Sequence, residues 1–291
     1  MLELTDLKTV KSLLTFYNVS AQKQLGQHFL IDKPALEAIV DSANLTKQDY
    51  VVEIGPGFGV LTFPLADKAG RVLAIETDKK IIEILKSLGS GYANLEILPS
   101  SILKLDNQFL HNKYKAWSKN KTQPTKYKLV ANLPYYITSS IIKLFLETDN
   151  RPEVISIMVQ KEVAERITAE PGEMSLLAVS VQLYSTAEIV RIVPRTSFWP
   201  APEVDSAILK IVPFSKPRFE IDNYKMFFRI AKAGFGERRK QLHNSLSGGL
   251  NLDDELIVEI LERVGIDPKT RAQDLSIDNW VSLYSELKNE L

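Results

Sequence analysis

The segment Asn132-Leu133-Pro134-Tyr135 contains groups suited to methylating an exocyclic purine amine. The lone pair of such an amine is delocalised into the ring, so the nitrogen must move toward tetrahedral geometry before it reacts. The Asn132 side-chain oxygen and a backbone carbonyl at Leu133 or Pro134 could accept its two N–H groups and favour that change. Pro134 restricts the loop through its fixed φ, and Tyr135 could stack on an extruded base. Taken alone, the motif is more typical of an Asn-x-Pro turn after a strand.

A second motif, Glu53-x-Gly55-x-Gly57-x-Gly59, begins within the short strand 51–54, and Glu76 comes about twenty residues later. Glycines let a backbone approach a nucleotide closely, and an acid at the end of the next strand can accept hydrogen bonds from ribose hydroxyls. The spacing differs from that of dinucleotide binders, and no Lys-Ser/Thr pair follows to make a phosphate-binding loop. The motif therefore suits S-adenosylmethionine, a nucleoside without phosphates, although a glycine-dependent strand–helix turn would look the same.

The surrounding hydrophobic pattern predicts the elements that hold these motifs. Apolar strands near 51–54, 72–76, 95–98, 127–131 and 154–159 alternate with amphipathic helices, a pattern typical of βαβ units with a parallel sheet. Each motif follows a strand, and ligands of such sheets bind at the carboxyl ends of the strands. We expect a Rossmann-like α/β domain over 1–213, including an N-terminal helical extension. Four amphipathic segments between 223 and 289 then predict a small all-helical domain over 214–291.

The composition narrows the class of protein. Cysteine is absent and histidine occurs three times, so we expect no disulfide, no zinc–thiolate centre and no metal site. The chain has no apolar run of transmembrane length and its first residues lack a signal-peptide pattern, so we expect a cytoplasmic protein without membrane contact. Basic and acidic residues balance at 36 each. The one basic cluster, Arg238-Arg239-Lys240, is on charge alone more typical of a solvated helix face than of an RNA contact.

A stiff aromatic loop is the third motif. Phe198 and Trp199 precede Pro200-Ala201-Pro202, and Val204-Asp205-Ser206 follows. The prolines would hold an aromatic ring in place for stacking on a base. A β-hairpin loop with buried aromatics would have the same sequence.

Taken together, the motifs resemble the small-subunit (16S) rRNA adenine N6-dimethyltransferase family (KsgA/RsmA). The resemblance covers nearly the whole chain and rests on motifs in the expected order: Leu25-Gly26-Gln27-His28-Phe29-Leu30, Val52-Glu53-Ile54-Gly55-Pro56-Gly57, Glu76, Asn132-Leu133-Pro134-Tyr135-Tyr136-Ile137-Thr138, Gln160-Lys161-Glu162-Val163-Ala164-Glu165-Arg166, Phe198-x-Pro200-x-Pro202-x-Val204-Asp205-Ser206-Ala207 and Phe235-x-x-Arg238-Arg239-Lys240. It implies a class I S-adenosylmethionine methyltransferase domain with a helical rRNA-binding domain. It also implies dimethylation of two adjacent adenines in the 3′-terminal hairpin of small-subunit rRNA, within a 30S assembly intermediate, by a monomer.

The resemblance also implies roles for individual residues. The cofactor would be bordered by Gln27, His28, Leu30, Gly55, Gly57, Glu76, Ser101, Ile102 and Asn132. Asn132 and Pro134 would act at the target amine, Tyr135 and Phe198 would sandwich the adenine, and Arg238, Arg239 and Lys240 would face rRNA phosphates.

One departure from the family pattern concerns the cofactor. The family usually carries Gly-Asp after the strand that corresponds to 95–98, and the Asp binds the adenine amine of the cofactor. This chain has Ser100-Ser101 at that place. A hydroxyl lacks the charge of a carboxylate, so we expect cofactor binding weaker by about 1–2 kcal/mol. Two alternatives to an active small-subunit enzyme therefore stay open: a weakly active or inactive assembly factor of the same fold, and a large-subunit rRNA adenine methyltransferase of the macrolide-resistance type.

Overall fold

The computed structural model describes residues 2–20, 27–118, 127–237 and 239–291 of the 291-residue chain. The chain divides into two compact units. The first comprises Met1–Ala164 and Thr186–Pro213, and the second comprises Glu165–Ser185 and Phe214–Leu291.

The first unit is built on a twisted sheet. The strands of the described residues, in chain order, are β1 (Phe29–Leu30), β2 (Tyr50–Ile54), β3 (Arg71–Glu76), β4 (Leu95–Pro99), β5 (Lys128–Asn132), β6 (Ile155–Gln160), β7 (Ser185–Val193), β8 (Phe198–Trp199) and β9 (Ser206–Pro213). Seven of these described strands form one sheet in the order β4-β3-β2-β5-β6-β9-β7. The five strands from β4 to β6 pair in parallel, whereas β9 runs antiparallel to β6.

The sheet confirms the predicted Rossmann-like fold. All five residues of β2 are buried, as expected of a parallel strand covered on both faces. The predicted strand positions agree with β2 to β6 within about two residues. β7 and β9 were not predicted, because β7 is largely solvent-exposed and carries charged residues between its apolar ones.

Helices of the first unit connect these strands. They are α1 (Leu7–Phe16), α2 (Lys33–Ser42), α3 (Thr62–Lys68), α4 (Lys79–Leu88), α5 (Asn107–Ser118) and α6 (Thr138–Leu146). After β6, α7 (Lys161–Ile167) begins in the first unit and ends in the second. The Asp78 side chain caps α4 by accepting from the backbone N–H groups of Lys80 and Ile81, so the helix begins directly after β3. The polar, Lys-rich stretch 107–126 has a sequence typical of a surface loop or a frayed helix. It forms α5 over its first part, and 119–126 lies outside the described residues.

The second unit is helical. It contains α8 (Leu176–Gln182), α9 (Tyr224–Gly234), α10 (Leu242–Leu250), α11 (Asp254–Arg263) and α12 (Ile277–Leu287). α10 includes the pair Gly248-Gly249 and continues to Leu250. A Cβ on Gly249 would lie 2.7 Å from the Ala233 Cβ, so glycine permits close packing of α10 on α9.

The predicted boundary at 213/214 coincides with one division between the units, but residues 165–185 were expected in the first domain and belong to the second unit. Hydrogen bonds to a distant loop explain this. The N–H groups of Gly172 and Met174 donate to the Gln273 carbonyl oxygen, and the Gln273 side chain donates to the Gly172 carbonyl. In the described part of the chain, no helix has the length and apolar character needed to cross a membrane.

Candidate active site

A cavity of about 230 Å³ opens at the carboxyl ends of the central strands in the first unit. Its walls come from the ends of β2, β3 and β5, from the turn after β4, and from the segment around β1. It brings together every predicted cofactor and catalytic residue except Phe198: Gln27, His28, Leu30, Gly55, Gly57, Glu76, Ser101, Ile102, Asn132, Pro134 and Tyr135. Side chains separated by more than 100 residues in sequence therefore share one cavity.

The Glu76 carboxylate is held in place by the backbone that follows it. The N–H groups of Thr77 and Asp78 donate to Oε1 at 2.6 and 2.9 Å. Within the described residues no donor to Oε2 is found, so this oxygen is available to a ligand. A carboxylate oriented by two amides is well placed to accept hydrogen bonds from a pair of hydroxyls.

The glycine loop needs its glycines for two different reasons. Gly55 has φ +67° and is exposed on the cavity wall, where a Cβ would lie 4.0 Å from Pro134 Cδ. The loop and the Asn132–Tyr135 motif are therefore neighbours. Gly59 has φ +93°, and a Cβ there would lie 2.6 Å from the Phe63 ring, so only glycine lets the chain turn into α3.

Glu53 is a cavity residue to which the sequence motif assigned no role. Its side chain is 1% exposed, and Oε2 has no hydrogen-bond partner among the described residues. Burial raises the pKa of Glu53 to about 8, and the nearby charge of Glu76 adds to the shift. A buried acid with an unpaired oxygen is costly, so this carboxyl is suited to meeting a positively charged ligand group. The sequence feature that could have pointed to this residue is an acid inside the otherwise apolar strand Val51-Val52-Glu53-Ile54.

Ser101 occupies the place where the family pattern has an acid. It lies on the cavity wall at the start of a short 3₁₀ turn, Ile102–Lys104, and its hydroxyl does not cap that turn. The Ser101 hydroxyl is therefore free of this local bond and can turn toward a ligand, but it brings no charge.

Asn132 lies at the end of β5, with its amide held by a distant loop. Asn132 Nδ2 donates to the His28 carbonyl oxygen at 3.5 Å, a long hydrogen bond. Because Nδ2 faces the His28 carbonyl, the other amide atom of Asn132, Oδ1, remains as an acceptor for a ligand in the cavity. The Pro134 carbonyl accepts from Ile137 N–H at 3.2 Å, which favours the Leu133 carbonyl as the second acceptor for an amine.

The Tyr135 ring is contacted on two sides. Its hydroxyl lies 2.8 Å from Ser206 Oγ, and the His28 ring lies nearly parallel to it, with ring centroids 6.1 Å apart and 23° between the planes. His28 Nδ1 is in turn 2.6 Å from the Pro200 carbonyl oxygen. Burial raises the pKa of Tyr135 above its usual value, so the phenol stays neutral and can hydrogen-bond to Ser206.

Phe198 does not lie where the resemblance implied. It was expected to stack on the base opposite Tyr135, but it is 3% exposed and does not line this cavity. β8 pairs antiparallel with β1, with Phe198 opposite Leu30, and its ring packs in a cluster with Met158 and Ile208. Burial of an aromatic ring is strongly favourable, so Phe198 would have to leave this cluster to reach a base in the cavity.

The predicted RNA contacts lie in the second unit, between α9 and α10. Arg239 and Lys240 are exposed, and Lys240 Nζ forms a 2.8 Å ion pair with Glu237. Such a surface pair is weak and can exchange for a phosphate. Arg238 lies outside the described residues. Among the residues that the structure describes, no group of three His, Asp or Glu side chains is arranged to hold a metal ion.

Comparison with known proteins identifies the family. The family model described as ribosomal RNA adenine dimethylase matches residues 18–289. The chain belongs to the ribosomal RNA adenine dimethylase family. Membership confirms the resemblance predicted from the motifs. Two curated relatives named ribosomal RNA small subunit methyltransferase A are similar over almost their full length. One, from Dehalococcoides mccartyi, is 44% identical over 95% of this chain and 91% of its own. The other, from Clostridium botulinum, is 42% identical over 94% and 96%.

Two solved structures have the same fold as this member of the ribosomal RNA adenine dimethylase family. A dimethyladenosine transferase from Plasmodium falciparum superposes with a TM-score of 0.73 at 25% identity, covering 90% of this chain and 98% of its own. The 23S rRNA methyltransferase ErmE superposes with a TM-score of 0.70 at 26% identity, covering 89% and 99%. Because a 23S rRNA methyltransferase shares this fold, the fold alone does not decide which rRNA is the substrate.

Proposed function

We propose that the protein uses S-adenosylmethionine to dimethylate N6 of two adjacent adenines in the 3′-terminal hairpin of small-subunit rRNA. The observation that carries this proposal is the shared cavity: Glu76 and the glycine loop line the same space as Asn132 and Tyr135. The relatives named small subunit methyltransferase A, at over 40% identity across more than nine-tenths of the chain, support the choice of subunit.

The cavity residues fit S-adenosylmethionine. Glu76 Oε2 would accept from the ribose hydroxyls, and the exposed Gly55 would let the nucleoside lie against the backbone. The unpartnered carboxyl of Glu53 suits the positive charge that the cofactor carries. Ser101 and Ile102 would contact its adenine, while Gln27, His28, Leu30 and Gly57 would border it.

The methyl transfer depends on positioning of the target amine. S-adenosylmethionine, when bound, supplies an electrophilic methyl group. Asn132 Oδ1 and the Leu133 carbonyl would accept the two N–H groups of the amine, drawing its lone pair out of conjugation and aiming it. Tyr135 would stack on the extruded adenine. The proton released on methylation passes to solvent, because neither an amide oxygen nor a peptide carbonyl is basic enough to retain it.

The second unit would contribute RNA affinity. We infer that Arg239 and Lys240, together with Arg238, neutralise rRNA phosphates, so that binding weakens with salt. The proposed substrate is a 30S assembly intermediate, which places the activity in the cytoplasm where ribosomes assemble, and the proposed acting form is a monomer.

Two other functions have a specific observation in their favour. The superposition on ErmE favours a large-subunit rRNA substrate. Ser101, in the place of a carboxylate, favours a weakly active or inactive assembly factor of the same fold. The intact Asn132–Tyr135 motif and the small-subunit relatives weigh against both.

One experiment separates the three. The protein is incubated with methyl-labelled S-adenosylmethionine and, in parallel, undermethylated 30S subunits, 50S subunits and naked rRNA. Label in 30S rRNA, recovered as N6,N6-dimethyladenosine, is the expected result. Label only in 50S subunits or naked large-subunit rRNA would establish the large-subunit function. Binding to 30S subunits without label would establish the assembly factor.

A further inference from the structure

The motif Val204-Asp205-Ser206 lies next to the proposed base site, yet the proposed chemistry gives it no task. Its serine begins β9, opposite Gln160 of β6, and is fully buried. Ser206 Oγ lies 2.8 Å from the hydroxyl of Tyr135, the ring proposed to stack on the target adenine. The two residues are 71 positions apart in sequence.

The position of Ser206 is set by the sheet rather than by a loop. The neighbouring Asp205 accepts from Arg195 N–H through its carboxylate, at 2.9 Å, and from Lys161 N–H through its carbonyl, at 2.9 Å. These bonds close the 195–205 segment and join it to the start of α7. Ser206 is thus fixed on both sides, and it offers a rigid anchor for a side chain on the adjacent 3₁₀ turn Tyr135–Ile137.

Tyr135 needs such an anchor. The ring is only partly buried, so the apolar core restrains it incompletely. The His28 ring approaches one face at 6.1 Å between centroids, a separation that leaves the swing of the phenol about its Cα–Cβ bond poorly restrained. A hydrogen bond at the far end of the phenol limits that swing and so fixes where the ring lies.

We propose that Ser206 is a positioning residue for methyl transfer: its hydroxyl anchors the Tyr135 phenol and thereby sets where the ring, and the adenine stacked on it, lie relative to Asn132. The inference rests on the proposed function of Tyr135 as the stacking ring. Ser206 touches neither substrate nor cofactor. Because a misplacement of about 1 Å can slow an enzyme about 100-fold, loss of the anchor should affect the chemical step more than binding.

The test compares Ser206→Ala, Tyr135→Phe and the double variant. Both single changes remove the same hydrogen bond, and Tyr135→Phe keeps the ring. We expect each to slow single-turnover methylation of 30S subunits about 10-fold, and the double variant to be no slower than the slower single variant. The dissociation constants of S-adenosylmethionine and of 30S subunits should change less than twofold.

Ser156→Ala is the matched control. Ser156 is also fully buried, on the adjacent strand β6, but its hydroxyl bonds to the Ile39 carbonyl and it does not line the cavity. It should lower the melting temperature without changing the rate. A wild-type rate for Ser206→Ala, or slowing that multiplies in the double variant, would overturn the inference.

A second readout keeps the two proposals apart. An rRNA hairpin with 2-aminopurine at the target position reports stacking through fluorescence quenching, whether or not a methyl group is transferred. A wild-type protein that transfers no methyl group contradicts the proposed function alone. In that case the anchoring of the stacking ring by Ser206 stands if Ser206→Ala and Tyr135→Phe reduce the quenching equally, and it is overturned if Ser206→Ala quenches like the wild type.

Discussion

The two halves of the cavity are built in different ways. In the cofactor half, Glu76 is oriented by the backbone N–H groups of the next two residues, and the glycine loop is shaped by the positive φ angles of its glycines. In the base half, Asn132 bonds to a carbonyl 104 residues away and Tyr135 to a hydroxyl 71 residues away. Local geometry therefore shapes the Glu76 carboxylate and the glycine loop, whereas contacts between distant segments hold Asn132 and Tyr135.

This difference predicts which substitutions affect which step. The largest effect belongs to the base half. Asn132→Ala removes an acceptor for the target amine, so we expect methyl transfer to slow at least 100-fold, on the scale of losing one preorganised polar contact. Cofactor and rRNA affinity should fall far less. Single-turnover kinetics with binding measured in parallel checks this, and an unchanged turnover number for Asn132→Ala would rule out the mechanism.

The next effect belongs to the cofactor half. Glu76→Gln keeps the shape of the side chain but removes the charge that strengthens its bonds to ribose hydroxyls. We expect S-adenosylmethionine affinity to fall roughly 30-fold, since hydrogen bonds to charged groups contribute about 1.5–3 kcal/mol. At saturating cofactor the rate should recover. Glu83→Gln, exposed on α4, is the control and should bind as the wild type does. An equal loss of S-adenosylmethionine affinity in the two variants would show that Glu76 does not bind the cofactor.

A smaller effect, of opposite sign, is expected at Ser101. Ser101→Asp introduces the carboxylate of the family pattern on the cavity wall. It should tighten cofactor binding about 10-fold by a charge-assisted bond to the adenine amine. Calorimetry with S-adenosylmethionine gives the dissociation constant, and Ser100→Asp tests whether added negative charge alone is sufficient. Weaker binding by Ser101→Asp would mean that the adenine lies elsewhere.

The smallest effect concerns stability and pH. Burial raises the pKa of Glu53 from 4.5 to about 8, so the folded state holds this proton more tightly than the unfolded chain. The resulting stability is fully present below pH 4.5 and is lost as the pH rises through about 8. Glu53→Gln has no such loss, so its melting temperature relative to wild type should rise by roughly 5 °C between pH 5 and pH 9. Calorimetric scans of the ligand-free proteins check this, and a constant difference across that range contradicts it.

The same contrast explains what the sequence could predict. The glycine loop, Glu76 and the strand-end position of Asn132 depend on neighbours in the chain and on strand periodicity, so they were predictable. The burial of Phe198 follows from its pairing with β1, and the contact between Tyr135 and Ser206 follows from the position of β9 beside β6. Neither pairing has a local signal. Residues 165–185, predicted in the first domain, cluster with the second unit through a similarly distant contact, because the partner of Gly172 is Gln273.

A crystal structure of the protein with S-adenosylhomocysteine tests most directly the claim that one cavity serves both halves of the reaction. We expect the ribose hydroxyls within hydrogen-bonding distance of Glu76 Oε2, the adenine beside Ser101 and Ile102, and the sulfur facing Asn132 across from Tyr135. A ligand bound outside this cavity, or one whose sulfur points away from Asn132, would contradict the account.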